Sequence, residues 1–211
     1  MSIGLCGSQR TGKSTLARAF SIQEGIPFVE TGASATFARL GFDPKVDYPL
    51  DTRLDIQRHI LDDLDKAYAS AGRDFITDRT PIDAVAYLLA DVQRQNTSAA
   101  QARLITDYMK DCSSVTNGHF TTLVVVQPGI PIIEEAGKAP ANIAYMEHIS
   151  ALVMGLVVSE LILPSHYYIP RTMTNMGERL RCLKKVTGRT LEKHQMFIQQ
   201  RLESGDPVIF H

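Results

Sequence analysis

The chain has 211 residues, a net charge of −1, 44% hydrophobic and 21% charged residues. That length suits one well-buried α/β domain and not two ordinary ones, and the composition is ordinary for a soluble globular protein. The three cysteines, Cys6, Cys112 and Cys182, are widely spaced with no C-x-x-C pair, which argues against a disulfide framework or a zinc site and suits a reducing cytoplasm.

The first element is Ser2-Ile3-Gly4-Leu5-Cys6, a short apolar run of the kind a buried parallel strand shows. Residues 7–14 follow at once as Gly-Ser-Gln-Arg-Thr-Gly-Lys-Ser, which fits G-x-x-x-x-G-K-[ST] without deviation. Gly7 and Gly12 let the backbone wrap an anion, and Ser8, Gln9, Arg10 and Thr11 complete the loop whose N–H groups point inward. Lys13 brings a cation to the β/γ-phosphates, and the Ser14 hydroxyl is placed to ligate Mg²⁺. Thr15 lies in the first turn of a helix over 13–24, with its apolar stripe at Leu16, Ala19 and Phe20 and its positive end toward the same anion. Strand, glycine loop and helix in this order make residues 7–14 a phosphate-binding P-loop, with ATP and Mg²⁺ as the expected ligands.

Beyond it, strand and helix signals alternate, as in a doubly wound α/β sheet. Strands are expected at 2–6, 27–30, 74–78, 121–127 and 166–169. Helices are expected at 13–24, 34–40, 50–71, 81–94, 98–114, 141–160, 175–187 and 191–203. Thr80, Pro81 and Asp83 read as N-cap, first helical residue and the acid of a capping box, and Asn175 with Glu178 repeats that spacing. Residues 128–140 hold three prolines and two glycines and read as a lid-like loop able to move. The run Ala151–Leu163 is broken by Ser159 and Glu160 and is too short to span a bilayer. No basic segment with a long apolar stretch opens the chain, so no signal peptide is expected. The whole chain, 1–211, reads as a single domain.

Ligands of open parallel sheets gather at the carboxyl ends of the strands, where this chain places the P-loop, Glu30, Asp78-Arg79, Gln127 and Arg171. Asp78 suits Mg²⁺ and Arg79 a bidentate grip on phosphate. Glu30 is a candidate base for a substrate hydroxyl, an outer-shell metal contact or a solvated loop acid. In the helix 50–71, Leu54, Leu61, Leu64 and Tyr68 mark one face. Gln57 interrupts it, with Arg53 one turn earlier. The pair either caps the core or lines a pocket, with Gln57 as candidate reader of a base edge. Lys138 and Arg171 are loop cations able to neutralise phosphate on closure, or plain surface charges.

Residues 171–201 hold eight basic side chains and two acids, so that segment is +6 and the remainder −7. It is either a solvated helical surface or a rim for nucleotide phosphates or polynucleotide.

GTPase motifs D-x-x-G and [NT]-K-x-D are absent, as is S-G-G of transporter ATPases. Strand 121–127 lacks a helicase-like acidic pair, and the chain is too short for a P-loop core with a full AAA-type lid domain. Small-molecule kinases remain. Asp78-Arg79-Thr80-Pro81-Ile82-Asp83-Ala84-Val85-Ala86-Tyr87 resembles the D-R-Y-x-x-S-x-x-A-Y stretch of thymidylate kinases, matching at Asp78, Arg79, Ala86 and Tyr87 and departing at Thr80 and Asp83. More broadly, residues 1 to about 187 resemble the P-loop kinases that include nicotinamide riboside kinases and phage-type deoxynucleotide kinases. The resemblance implies a P-loop NTPase fold with a five-stranded parallel core, ATP·Mg²⁺ as donor, Asp78 on the metal and Arg79 on the acceptor's phosphate. Thymidylate kinases carry a basic lid, whereas Lys138 alone stands in the corresponding loop here.

The expected activity is transfer from ATP to a (deoxy)nucleoside monophosphate. The rivals are a nucleoside kinase with Glu30 as base, a kinase acting on polynucleotide or a hydroxymethylated base, and an ATP-driven switch without an acceptor. The expected partners are a nucleotide or nucleoside substrate and a second copy in a homodimer, with nucleic acid less favoured and no membrane. The expected location is the cytoplasm, that of the host for a phage-encoded chain.

Overall fold

The computed structural model describes residues 1–44, 46–92, 97–132 and 142–204. The chain runs β1 (Ser2–Cys6), α1 (Lys13–Glu24), β2 (Phe28–Val29), α2 (Ala33–Leu40), α3 (Leu50–Ala71), β3 (Phe75–Thr77), α4 (Pro81–Val92), α5 (Ala99–His119), β4 (Thr122–Val126), α6 (Ile143–Val157), β5 (Ser165–Ile169) and α7 (Met176–Ser204). The strands form one five-stranded sheet in the order β2-β3-β1-β4-β5, and every pairing is parallel. The fold is α/β, as the sequence predicts.

Successive strand residues point to opposite faces, and the two faces carry different helices. Ile3 and Leu5 of β1 with Val124 and Val126 of β4 pack on Leu16 and Phe20 of α1 and Leu183 and Val186 of α7. Cys6, Phe75, Leu123 and Val125 point the other way, onto α3, α4 and α6. α4 is buried nearly all round because α3, α5 and α6 all pack against it. In α5, Ile105, Tyr108, Cys112 and Thr116 form one buried stripe at helical spacing. That stripe carries α5 past the expected end at residue 114 to His119. A capping box between Ser98 and Gln101 starts it.

The expected break between helices 175–187 and 191–203 is absent, and α7 is continuous from Met176 to Ser204. A helical glycine such as Gly188 costs about 1 kcal/mol, which neighbouring packing offsets. Here Thr190 is buried and the Thr122 hydroxyl donates to its Oγ1 at 3.1 Å, holding the helix on β4 across the glycine.

Gly4 lets the chain after β3 approach the central strand. A Cβ there would lie 2.6 Å from Thr80 Cγ2, so only glycine leaves room for the segment carrying Asp78 and Arg79. Among the described residues no helix is long and apolar enough to cross a membrane. The expected lid cation Lys138 and most of the expected lid loop lie outside the described residues.

Candidate functional site

The P-loop leaves the carboxyl end of the central strand and turns through three left-handed residues, Gly7 (φ 136°), Arg10 (φ 59°) and Gly12 (φ 80°). A Cβ on Gly7 would meet the Val126 carbonyl oxygen at 2.6 Å, so position 7 needs glycine for space as well as for φ. Arg10 adopts left-handed geometry with a full side chain, which costs roughly 1–2 kcal/mol. Thr11 Oγ1 donates to the Ser8 carbonyl at 3.1 Å and closes the loop on itself. Gly12 is the N-cap of α1 and brings no side-chain cap, which leaves the first-turn N–H groups to an anion.

Lys13 is buried, and its ammonium donates to the carbonyls of Gly7 and Ser8, both at 2.7 Å. Burial pushes its pKa down, and the nearby Asp83 carboxylate opposes that shift. An arriving phosphate would exchange carbonyl partners for a full countercharge. The Ser14 hydroxyl donates to Asp78 Oδ2. Asp78 is buried, and its other oxygen has no hydrogen-bond partner. A hydroxyl beside an unsatisfied carboxylate oxygen at the lip of a phosphate loop fits Mg²⁺ held jointly with phosphate oxygens. Among the described residues no group of three or more His, Cys, Asp or Glu side chains is placed to hold a metal alone.

Asp83 does more than cap α4. Its Oδ2 accepts from the Thr80 N–H at 2.8 Å and the Thr80 hydroxyl at 3.0 Å, while Oδ1 accepts from the Gly7 N–H at 2.8 Å. Burial pushes its carboxyl up, against the pull of Lys13, the Gly7 and Thr80 N–H groups and Arg79.

A cavity of about 560 Å³ opens beside the P-loop, walled by α2, α3 and α4. Its polar lining includes Gln9, Arg53, Gln57, Arg79, Asp83 and Asp91, and its apolar lining Phe37, Ile60 and Leu64. Gln57 is buried and its Oε1 accepts from the Tyr108 hydroxyl at 3.3 Å. Arg53 pairs with Asp91 at 3.2 Å and keeps a buried Nε with no hydrogen-bond partner. Burial raises the Asp91 carboxyl, with Arg53 opposing. The Tyr87 hydroxyl donates to Gln9 Oε1 at 2.8 Å and ties α4 to the P-loop.

Of the sequence-predicted residues, Gln9, Arg53, Gln57 and Arg79 meet around this cavity. Glu30 does not line it; its exposed carboxylate accepts from Arg18 at 2.6 Å. Arg171 pairs with Glu147 through both guanidinium Nη atoms on the surface. Thr15 is exposed at the start of α1. Sequence alone ties neither Asp83 to the P-loop nor Asp91 or Tyr108 to this corner, and it offers Arg179 only as one of the eight basic side chains of residues 171–201. Asp91 falls inside a helix with no motif, and only the repeated polar interruption of apolar faces pointed toward this corner.

A family model described as an AAA domain matches residues 2–112, from β1 through the P-loop and Asp78-Arg79 into α5. The chain belongs to this AAA domain family. Beyond this match the chain continues as β4, α6, β5 and α7, with β4 and β5 joining the same sheet. No curated protein matches the sequence. Among solved structures, deoxyadenosine kinase from M. mycoides with bound dCTP superposes with a TM-score of 0.64 at 12% identity, covering 90% of this chain and 100% of that one. The same enzyme with bound dATP gives 0.57 at 13% identity, with 89% and 100% covered. The NadR protein in complex with NAD and AMP-PNP gives 0.58 at 16% identity, covering 89% of this chain and 49% of that one. These likenesses show a shared fold, a five-stranded parallel sheet flanked by helices.

Proposed function

We propose that the protein transfers the γ-phosphoryl group of ATP to a (deoxy)nucleoside monophosphate in a reducing cytoplasm. The observation that carries this reading is the wall of the cavity beside the P-loop. It presents the Arg79 guanidinium, while its two carboxylates are engaged, Asp83 by Gly7 and Thr80 and Asp91 by Arg53. Such a site suits an acceptor that arrives already anionic and needs no base.

In that reading a phosphate oxygen of the acceptor attacks Pγ in line. The bond from Pγ to the bridging oxygen breaks, and ADP leaves. The P-loop amides and Lys13 hold the donor phosphates, and Arg79 orients the acceptor phosphate. Gln57, steadied by Tyr108, and Arg53 through its unpartnered Nε supply hydrogen bonds to the base or sugar. Ser14 and Asp78 would hold Mg²⁺, which would supply charge neutralisation at the donor phosphates when bound. Charge placement and orientation supply the acceleration.

A nucleoside acceptor is the second reading. It draws support from the fold shared with deoxyadenosine kinase and from Glu30 at the end of β2. A labelled-ATP transfer screen over nucleoside monophosphates, nucleosides and DNA decides between them. Label should appear on a monophosphate. Label on nucleosides or DNA alone would overturn the first reading.

A further inference from the structure

Among the described residues Arg179 is the largest fully buried side chain, at 1% exposure in the first turns of α7. It is one of the eight basic side chains of residues 171–201, a segment whose sequence fits either a solvated helical surface or a rim for nucleotide phosphates or polynucleotide. Its Nε donates to the Met173 carbonyl at 2.7 Å, in the connection between β5 and α7. Its Nη1 donates to the Thr11 carbonyl at 2.8 Å, inside the P-loop. Nη1 also lies 3.3 Å from where a Cβ on Gly12 would stand. The other terminal nitrogen, Nη2, is buried without a partner.

The electrostatics are lopsided. Among the described residues no carboxylate pairs with Arg179, and burial alone lowers its pKa. A buried charge costs several kcal/mol unless something compensates it. Carbonyl oxygens satisfy two donors but do not cancel a full charge. The neighbouring P-loop is built to receive an anion, and Gly12, next to the Thr11 carbonyl that Arg179 holds, caps the helix that faces that anion.

We propose that Arg179 is a positioning residue for the donor nucleotide. It clamps the Thr11-Gly12 limb of the P-loop to the β5–α7 connection, and its charge is balanced by the donor's phosphates. The acceptor cavity lies on the α2–α4 side of the sheet, so this clamp acts on the donor and not on the acceptor. The inference rests on the reading of the P-loop as the ATP site.

The test compares wild type, Arg179→Lys and Arg179→Met by calorimetric titration with AMP-PNP and Mg²⁺, alongside thermal melting without ligand. Arg179→Met should bind AMP-PNP at least about tenfold more weakly, the scale of a lost charge-assisted contact. Arg179→Lys, which keeps the charge, should recover part of that loss, and acceptor KM should stay near wild type. Full AMP-PNP affinity in a folded Arg179→Met, or a loss that lysine does not relieve, overturns the proposal. A second measurement needs no variant. The resonance of the Arg179 Nε–H, bonded to the Met173 carbonyl in wild type, should move with AMP-PNP and with inorganic tripolyphosphate but not with adenosine. No movement with either phosphate ligand also overturns it. Wild type that binds no AMP-PNP at all would instead defeat the ATP-site reading, and the inference with it.

Discussion

The backbone N–H of Gly7 donates to Asp83 Oδ1 at 2.8 Å, so the first residue of the P-loop hangs from the first turn of α4. Asp83 is one of the positions at which the chain departs from the thymidylate kinase stretch, where serine stands. A carboxylate has one oxygen for Thr80 and another for Gly7, and a lone hydroxyl cannot accept both sets of bonds. Asp83→Ala should therefore destabilise the fold by about 1–3 kcal/mol, the cost of leaving buried donors unsatisfied, and weaken ATP binding with it. Urea unfolding and AMP-PNP titration of the variant measure the two effects.

The same carboxyl gives a pH signature. Burial raises its pKa in the folded protein. An acid raised in this way favours the fold in its protonated form. That contribution is complete below the unfolded carboxyl's pKa of about 3.9 and is lost as pH rises through the folded value. Asp83→Asn cannot ionise. The stability of wild type relative to Asp83→Asn should decline as pH is raised from about 4 to about 8. A flat or rising difference would show that this acid is not raised.

Lys13→Ala should cost at least about a hundredfold in turnover, the scale of a lost transition-state charge contact. Its stability should stay near wild type, because the change removes two bonds to P-loop carbonyls together with a buried charge. Turnover and melting temperature of the same preparation check both halves. Full phosphoryl transfer by this variant is incompatible with the kinase reading.

Much of this architecture is visible in the residue pattern. The five strands fall where apolar runs stop at polar residues, and α1 and α3 occupy their expected spans because stripe and breaker agree at both ends. The P-loop is legible because its chemistry is local. What escapes is the long-range half of the site. Arg179 meets Thr11 across 168 residues, Gln57 meets Tyr108 across 51, and Gly7 meets Asp83 across 76. Arg179 and Asp83 are polar residues on helices whose long-range partners nothing local marks, whereas Gln57 is marked by its place in the apolar face of α3 and only its Tyr108 partner escapes. α7 misleads for the opposite reason, since a local breaker, Gly188, is overridden by Thr190 packing on β4.

Arg79→Ala and Glu30→Gln separate the two acceptor readings. Arg79 lines the cavity, whereas Glu30 is held outside it by Arg18. For a monophosphate acceptor, Arg79→Ala should raise acceptor KM far more than ATP KM, and Glu30→Gln should change little. For a nucleoside acceptor, loss of the Glu30 base should be the more damaging change. Steady-state kinetics of both variants decide it, and equal slight effects would remove both residues from the mechanism.

The basic C-terminal segment offers the last test, that of polynucleotide binding. A protein that neutralises several DNA phosphates loses affinity steeply with salt, because each contact releases counterions. The structure disperses the cations of this segment. Arg179 is buried against the P-loop, Arg171 is paired with Glu147, and Lys184 donates to Glu24 at 2.9 Å. Lys193 sits over the Tyr167 ring at 5.9 Å. Among the described side chains this leaves Arg181, Lys185 and Arg189 exposed along α7, too few for a broad phosphate track. Single- and double-stranded oligonucleotides should therefore form no measurable complex at about 150 mM salt, where the screening length is roughly 8 Å. Fluorescence anisotropy at low and high salt makes the measurement. Micromolar binding that survives the higher salt, with ATP consumed only when DNA is present, would shift the acceptor from a free nucleotide to the polymer.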